Sequence, residues 1–106
     1  MKHLTPTQLQ DYLNNTDITP VLLDVREQWE FDYCSIKDSL LIPMGELPNR
    51  LDELEKNSEI IMICHHGIRS RQMGYYMEQM GFASIINLEG GVEQWATDVE
   101  PTMKRY

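Results

Sequence analysis

The chain has 106 residues, of which 42% are hydrophobic, and its formal net charge at pH 7 is −8. This length fits a single domain spanning 1–106, and the acidic balance argues against nucleic acid and anionic membranes as partners. Two cysteines are too few for a disulfide scaffold, and the chain contains neither a leader-like nor a membrane-length apolar run, so we expect a cytoplasmic protein whose thiols stay free.

The first predicted elements are a helix and a strand. Thr5 is a candidate N-cap, Pro6 fits the first helical turn, and Gln8 completes a capping box. Polar residues 14–17 close this helix. The apolar run 21–25 is short enough to predict a buried strand.

The next segments are shorter. Residues 26–31 predict one or two helical turns, with Trp29 or Phe31 packed inward. A second short strand is expected at 40–42, before a proline. The leucines of 47–54 have helical spacing with acids between them.

The second half of the chain has stronger patterns. Residues 60–64 predict a third strand, and apolar side chains spaced i, i+3, i+4 and i+7 predict a helix over 70–80. Gly81 suits the end of that helix. Residues 83–88 predict another strand, and 92–96 predict a final amphipathic turn.

Strands that alternate with helices imply an α/β sheet covered on both faces. Ligands bind such sheets beyond the carboxyl ends of the strands, where Cys64 is expected. The last residues, 100–106, are expected to form a frayed tail.

Cys64 lies between a strand and a helix, at the bottom of a short loop. Loop amides and the positive end of the helix dipole favour negative charge on or above the sulfur. Residues 60–77 contain no acid but include two histidines and two arginines. The stretch therefore predicts a reactive cysteine that also holds an anion.

Three blocks of sequence, in order and at matching spacing, resemble single-domain rhodaneses, a family of sulfurtransferases. They are Leu23-Asp24-Val25-Arg26-Glu27 with Trp29-Glu30-Phe31 and Ile42-Pro43; Cys64-His65-His66-Gly67-Ile68-Arg69-Ser70; and Gly81-Phe82 with Leu88-Glu89-Gly90-Gly91 and Trp95. The chain departs from the family at 34–39. The family often has two glycines and a histidine in this segment, whereas this chain has Cys34-Ser35-Ile36 and Asp38-Ser39.

The resemblance implies a small five-stranded parallel sheet flanked by helices. It also implies that Cys64 takes a sulfane sulfur from a small anionic donor such as thiosulfate and passes it to cyanide, a thiol or a protein. The loop His65, His66, Gly67, Ile68, Arg69 and Ser70 would then hold the donor. No cofactor or metal ion is expected.

Several loop residues can be interpreted in more than one way. His65 and His66 are expected to line the donor pocket or face solvent rather than act as a base. Arg69 either contacts the donor or pins the loop to an acid such as Asp24 or Glu89. Ser70 is a candidate N-cap whose hydroxyl could, in a secondary role, reach the sulfur. Arg71 is expected at the rim.

Residues outside the loop are expected to be structural. Asp24 and Arg26 are interpreted as fixing the exit from their strand. Cys34 either has no chemical role or, alternatively, is a resolving thiol that forms a disulfide with Cys64. The methionines of 73–80 and both tryptophans are interpreted as core packing.

Three functions compete with sulfur transfer. A phosphatase or arsenate reductase also uses a cysteine in an anion-binding loop, but four residues separate Cys64 from Arg69 and those loops are one residue longer. A smaller loop suits a terminal sulfur better than a tetrahedral phosphate. The second competing function is a non-catalytic binding module, and the third is a redox sensor that pairs Cys34 with Cys64.

Overall fold

Five strands and four helices alternate along the chain in the computed structural model, which describes residues 1–106. The strands are β1 Lys2–Leu4, β2 Val21–Asp24, β3 Leu40–Leu41, β4 Glu59–Ile63 and β5 Ser84–Leu88. The helices are α1 Pro6–Asn15, α2 Gln28–Tyr33, α3 Ile68–Gln79 and α4 Gly91–Asp98, with single 3₁₀ turns at Leu47–Asn49 and Leu51–Glu53. None of the helices is long and apolar enough to cross a membrane.

All strand pairs are parallel, in the order β1-β5-β4-β2-β3, so that β4 lies at the centre. Side chains alternate between the faces of a strand. Ile61 and Ile63 therefore belong to the core beneath α1 and α4, whereas Ile60 and Met62 belong to the core beneath α3. The predicted α/β class with helices on both faces is confirmed.

The capping residues and the apolar spacing in the sequence predict the two longer helices, α1 and α3, closely. Thr5 caps α1 and forms the expected capping box with Gln8. In α3, Met73 and Met77 are buried as predicted, but Met80 lies beyond the helix and is 44% exposed. Helix α3 also begins at Ile68, two residues before its predicted start. Both ends of the helix therefore lie close to the prediction.

Two elements differ from the sequence prediction. Strand β1 has no predicted counterpart, because its three mostly exposed residues show no apolar period. In α2 neither Trp29, which is 63% exposed, nor Phe31 is the buried residue; the buried residue is Glu30. An acid is buried there because it has a cationic partner in the candidate site.

The expectation that residues 100–106 fray is wrong. Met103 is 8% exposed and packs into the core beneath α1 and α4. Tyr106 stacks on His65 and hydrogen-bonds to α2. Burial of Met103 and the contacts of the Tyr106 ring both favour the ordered position of this segment.

Candidate active site

Cys64 follows the central strand directly and is 1% exposed. Its Sγ accepts a hydrogen bond from the backbone N–H of Gly67 at 3.1 Å. Helix α3 begins at the next residue, so the positive end of its dipole lies beside the sulfur. This is the arrangement that the sequence predicts for a sulfur carrying negative charge.

The start of α4, which follows β5, hydrogen-bonds to the cysteine loop from the other side. Val92 N–H donates to the carbonyl of Cys64 at 2.9 Å, and Glu93 N–H donates to that of His65 at 3.1 Å. Gly91 has a φ of +59°, and a Cβ built there would lie 2.4 Å from both carbonyl oxygens. The start of α4 therefore fixes the peptide planes that follow the cysteine.

Gly67 meets two demands at once. Its φ of +95° is in the left-handed region, and a Cβ there would lie 3.1 Å from Gly90 N and 3.2 Å from Leu88 O. Glycine is therefore required here both for the left-handed backbone and for the close approach of a neighbouring segment. The approach is to backbone, however, rather than to a ligand.

A buried polar pair holds the loop from below. Asn87 Nδ2 donates to the carbonyl of Gly67 at 3.1 Å, and Ser70 Oγ donates to Asn87 Oδ1 at 2.6 Å. Ser70 and Asn87 are fully buried. Ser70 is thus not the N-cap, which is Gly67. The sequence interpretation overlooks Asn87, although a single amide within an apolar strand was a usable signal.

Arg69 is paired with Glu30 of α2. Its Nη1 and Nη2 donate to Oε1 and Oε2 at 2.7 and 2.8 Å. Hydrogen bonds from Arg69, and then from Tyr106, lower the pKa of Glu30 to about 2. The geometry matches the pinning role for this arginine, but the acid is neither Asp24 nor Glu89.

Asp24 instead holds Arg26, and both side chains are fully buried. Arg26 Nη2 lies 2.7 Å from Asp24 Oδ2, and the same nitrogen donates to Cys34 O at 2.7 Å. Arg26 Nε also donates to Asp24, and Nη1 donates to Tyr106 OH at 2.9 Å. This pair ties the exit of β2 to α2 and to the last residue of the chain.

The two histidines form a stack with Tyr106. The ring of His65 lies 3.9 Å from those of both His66 and Tyr106, with interplanar angles of 33° and 12°. Burial, followed by the charge of His66, lowers the pKa of His65. The hydrogen bond to Cys64 Sγ comes from Gly67 and not from either imidazole.

The remaining residues predicted for the site lie at the periphery. Ile68 is 57% exposed at the start of α3, and Arg71 is exposed as expected for the rim.

Cys34 is buried in the core beneath α1 and α4, whereas Cys64 belongs to the core beneath α3, and both thiols are free. No three His, Cys, Asp or Glu side chains are grouped so that they could hold a metal ion.

Comparisons with known proteins identify the family to which the sequence is similar. The sequence profile of the Rhodanese-like domain family matches residues 5–98. A sulfurtransferase of Allochromatium vinosum is 36% identical over 76 residues, which cover 72% of the chain and 71% of the relative. The thiosulfate sulfurtransferase GlpE of Glaesserella parasuis is 28% identical over 103 residues, or 97% of the chain and 94% of the relative.

The fold is also found among solved structures. The crystal structure of a rhodanese-like domain protein from Staphylococcus aureus superposes with a TM-score of 0.84 at 28% identity, covering 100% of this chain and 99% of the other. Among relatives that are 35–39% identical, the chain spans from 43% to 77% of the relative's length. The same fold thus occurs both nearly alone and as part of longer proteins.

Proposed function

The chain belongs to the rhodanese-like domain family, and from this premise we propose that it is a sulfurtransferase in which Cys64 carries the sulfur. Sulfurtransferases among its relatives support the general activity. The observation that carries the assignment of the residue is the buried thiol, held by the amide of Gly67 at the start of α3. Such a position stabilises negative charge without rearrangement of the loop.

In the first half-reaction the Cys64 thiolate attacks the outer sulfur of thiosulfate. A new sulfur–sulfur bond forms, the bond within thiosulfate breaks, and sulfite leaves with the electron pair. Cys64 becomes a persulfide, whose outer sulfur carries the negative charge. The Gly67 amide and the dipole of α3 stabilise this product.

In the second half-reaction a nucleophile attacks the outer sulfur of the persulfide. Cyanide gives thiocyanate, and a thiol of a small molecule or protein gives a new persulfide. The bond to Cys64 breaks with its electrons, so the thiolate is regenerated. Neither half-reaction requires a cofactor, and free thiols of this kind persist in a reducing cytoplasm.

Phosphatase chemistry fits the site less well. Phosphate-binding loops use their final arginine to hold substrate oxygens, whereas Arg69 is engaged in two hydrogen bonds with Glu30. A redox sensor would need its two thiols within disulfide reach. Cys34 and Cys64 instead belong to cores on opposite faces of the sheet.

Intact-mass spectrometry after thiosulfate treatment tests the proposal. The wild type and Cys34→Ser should each gain one sulfur atom, Cys64→Ser should gain none, and cyanide should remove the added sulfur as thiocyanate. Cys34→Ser is the matched control because it also removes one buried thiol. Absence of the adduct in the wild type, or loading of Cys64→Ser, would refute the assignment.

A further inference from the structure

Tyr106 connects the two ends of the cysteine loop. Its ring stacks on His65, the residue after Cys64. Its hydroxyl donates to Glu30 Oε2 at 2.6 Å, and the same carboxylate holds Arg69 at the far end of the loop. One side chain thus contacts the loop at its start and, through Glu30, at its end.

The segment 100–106 is anchored so that this ring stays in place. Met103 is buried in the core, and the guanidinium of Arg105 pairs with Glu93 at the start of α4. Trp29 and Tyr33 meet the ring edge to face, with centroids 5.4 and 6.0 Å away. Together these contacts build an aromatic wall next to the loop.

The sulfur has little open space around it. Cys64 is 1% exposed, and the three clefts in the surface are lined by other parts of the chain and by none of residues 64–71. The largest of them lies between the end of α1, residues 36–38 and α4. The place where a donor must approach is therefore narrow in this conformation.

We propose that Tyr106 is a specificity-determining residue of the Cys64 site. It admits small reactants such as thiosulfate and cyanide, and it excludes bulky thiols until its side chain moves aside. This inference deepens the proposed function and rests on it for its biological meaning. The steric part of the proposal, that Tyr106 limits access to the Cys64 thiol, does not depend on sulfur transfer.

The contacts of Tyr106 permit such a movement. When the hydroxyl leaves, Glu30 keeps its two bonds from Arg69, and Arg26 keeps its bonds to Asp24. No buried charge is left without a partner, so undocking avoids the largest electrostatic cost. Tyr106 is already 36% exposed, so part of its surface is in contact with solvent before any movement.

The test compares alkylation of Cys64 by iodoacetamide and by a bulky fluorescein maleimide. Peptide mass spectrometry distinguishes Cys64 from Cys34. Because these contacts make the open state a minor one, Tyr106→Ala should raise the rate with the maleimide by roughly tenfold and leave that with iodoacetamide nearly unchanged. Tyr106→Phe, which keeps the stacking and loses the hydroxyl, should have an intermediate effect. Tyr75→Ala removes an exposed tyrosine of α3 and should behave as wild type.

An equal rise with both reagents, or no rise with the maleimide, would overturn the proposal. If circular dichroism shows that Tyr106→Ala is unfolded, Tyr106→Phe decides: an unchanged ratio of the two rates overturns the proposal, and a raised ratio supports it. Alkylation needs no sulfur transfer. A changed ratio without persulfide loading would therefore refute the proposed function and leave the steric role intact.

Discussion

Arg69 donates two parallel hydrogen bonds to Glu30, which ties the first turn of α3 to helix α2. Glu30 is 4% exposed, whereas the arginine side chain remains 31% exposed. The pair is therefore asymmetric: loss of the arginine would strand a buried carboxylate. The guanidinium itself is directed at this carboxylate, which leaves the amide of Gly67 as the donor to the sulfur.

Arg69→Ala should act on stability rather than on donor binding. It should lower the free energy of unfolding by about 2–4 kcal/mol, because Glu30 loses its partner in a buried position. The KM for thiosulfate should stay close to that of the wild type. Urea unfolding and steady-state kinetics measure the two effects.

Arg71→Ala is the matched control for this prediction, because Arg71 is exposed at the rim and forms no ion pair. It should leave stability within about 0.5 kcal/mol of wild type. A raised KM in Arg69→Ala without loss of stability would contradict the pinning role and favour direct contact with the donor.

The same pair predicts a loss of stability in acid. The pKa of Glu30 is about 2, below its ordinary value of 4.5, because Arg69 and Tyr106 hydrogen-bond to the charged form. A depressed pKa contributes stability that is complete above pH 4.5 and is lost as pH falls toward 2. The contribution is at most about 3 kcal/mol.

Urea unfolding between pH 6 and pH 2.5 measures this dependence in the wild type and in Glu30→Gln. The pKa values of Glu53 and Glu93 are also lowered, by hydrogen bonds from Arg50 and Arg105, and both variants share that background. The wild type should therefore lose more stability than Glu30→Gln over this interval. Identical pH slopes would mean that the pair contributes nothing.

The sequence predicts those features whose causes are local. The capping box of α1, the apolar run of β4 and the loop around Cys64 each depend on residues close together in the chain, and each forms as expected. The alternation of strands and helices predicts the α/β class, and the resemblance to rhodaneses predicts the five-stranded parallel sheet. Propensity and periodicity alone did not indicate β1, whose three residues become a strand only by pairing with β5.

The overlooked features are contacts between distant residues. Glu30 looks like one acid among many until Arg69, 39 residues later, meets it. Tyr106 looks like part of a polar tail, and only the folded chain brings it to Glu30, 76 residues earlier. Which acid pairs with which base depends on how the elements pack, and periodicity carries no information about that choice.

Asn87 should be a positioning residue for the loop. Asn87→Leu has similar volume but leaves the buried Ser70 hydroxyl without its acceptor, and it removes one of the two donors to the Gly67 carbonyl, which keeps the N–H of Arg71. The unsatisfied hydroxyl costs about 1–3 kcal/mol. We expect destabilisation in that range and slower persulfide loading, measured by urea unfolding and by mass spectrometry.

Asn14→Leu is the control for this change. Asn14 is exposed on α1, and the same substitution there replaces a poor helix former by a good one. It should leave stability and loading close to wild type. If Asn87→Leu is destabilised but loads sulfur at the wild-type rate, Asn87 supports the fold without positioning the loop.

Gly91→Ala should damage the site strongly, because Gly91 lies against the loop itself. Its φ is +59°, and the new Cβ would be 2.4 Å from the carbonyl oxygens of Cys64 and His65. The left-handed backbone and the overlap together should cost about 2–5 kcal/mol. Since the overlap is with backbone, relief requires that the loop or the start of α4 shift.

Gly45→Ala is the matched control, since it is the same substitution at a position without strain. A Cβ at Gly45 has no atom within 4 Å, and the backbone there is not left-handed. It should change the free energy of unfolding by less than about 1 kcal/mol. In Gly91→Ala the shift should also break the hydrogen bonds from Val92 and Glu93 to the loop carbonyls, and so slow sulfur loading beyond what lost stability explains. Comparing loading rates at a temperature where both variants are fully folded separates the two effects: equal rates would show that the grip of α4 on the loop serves stability alone.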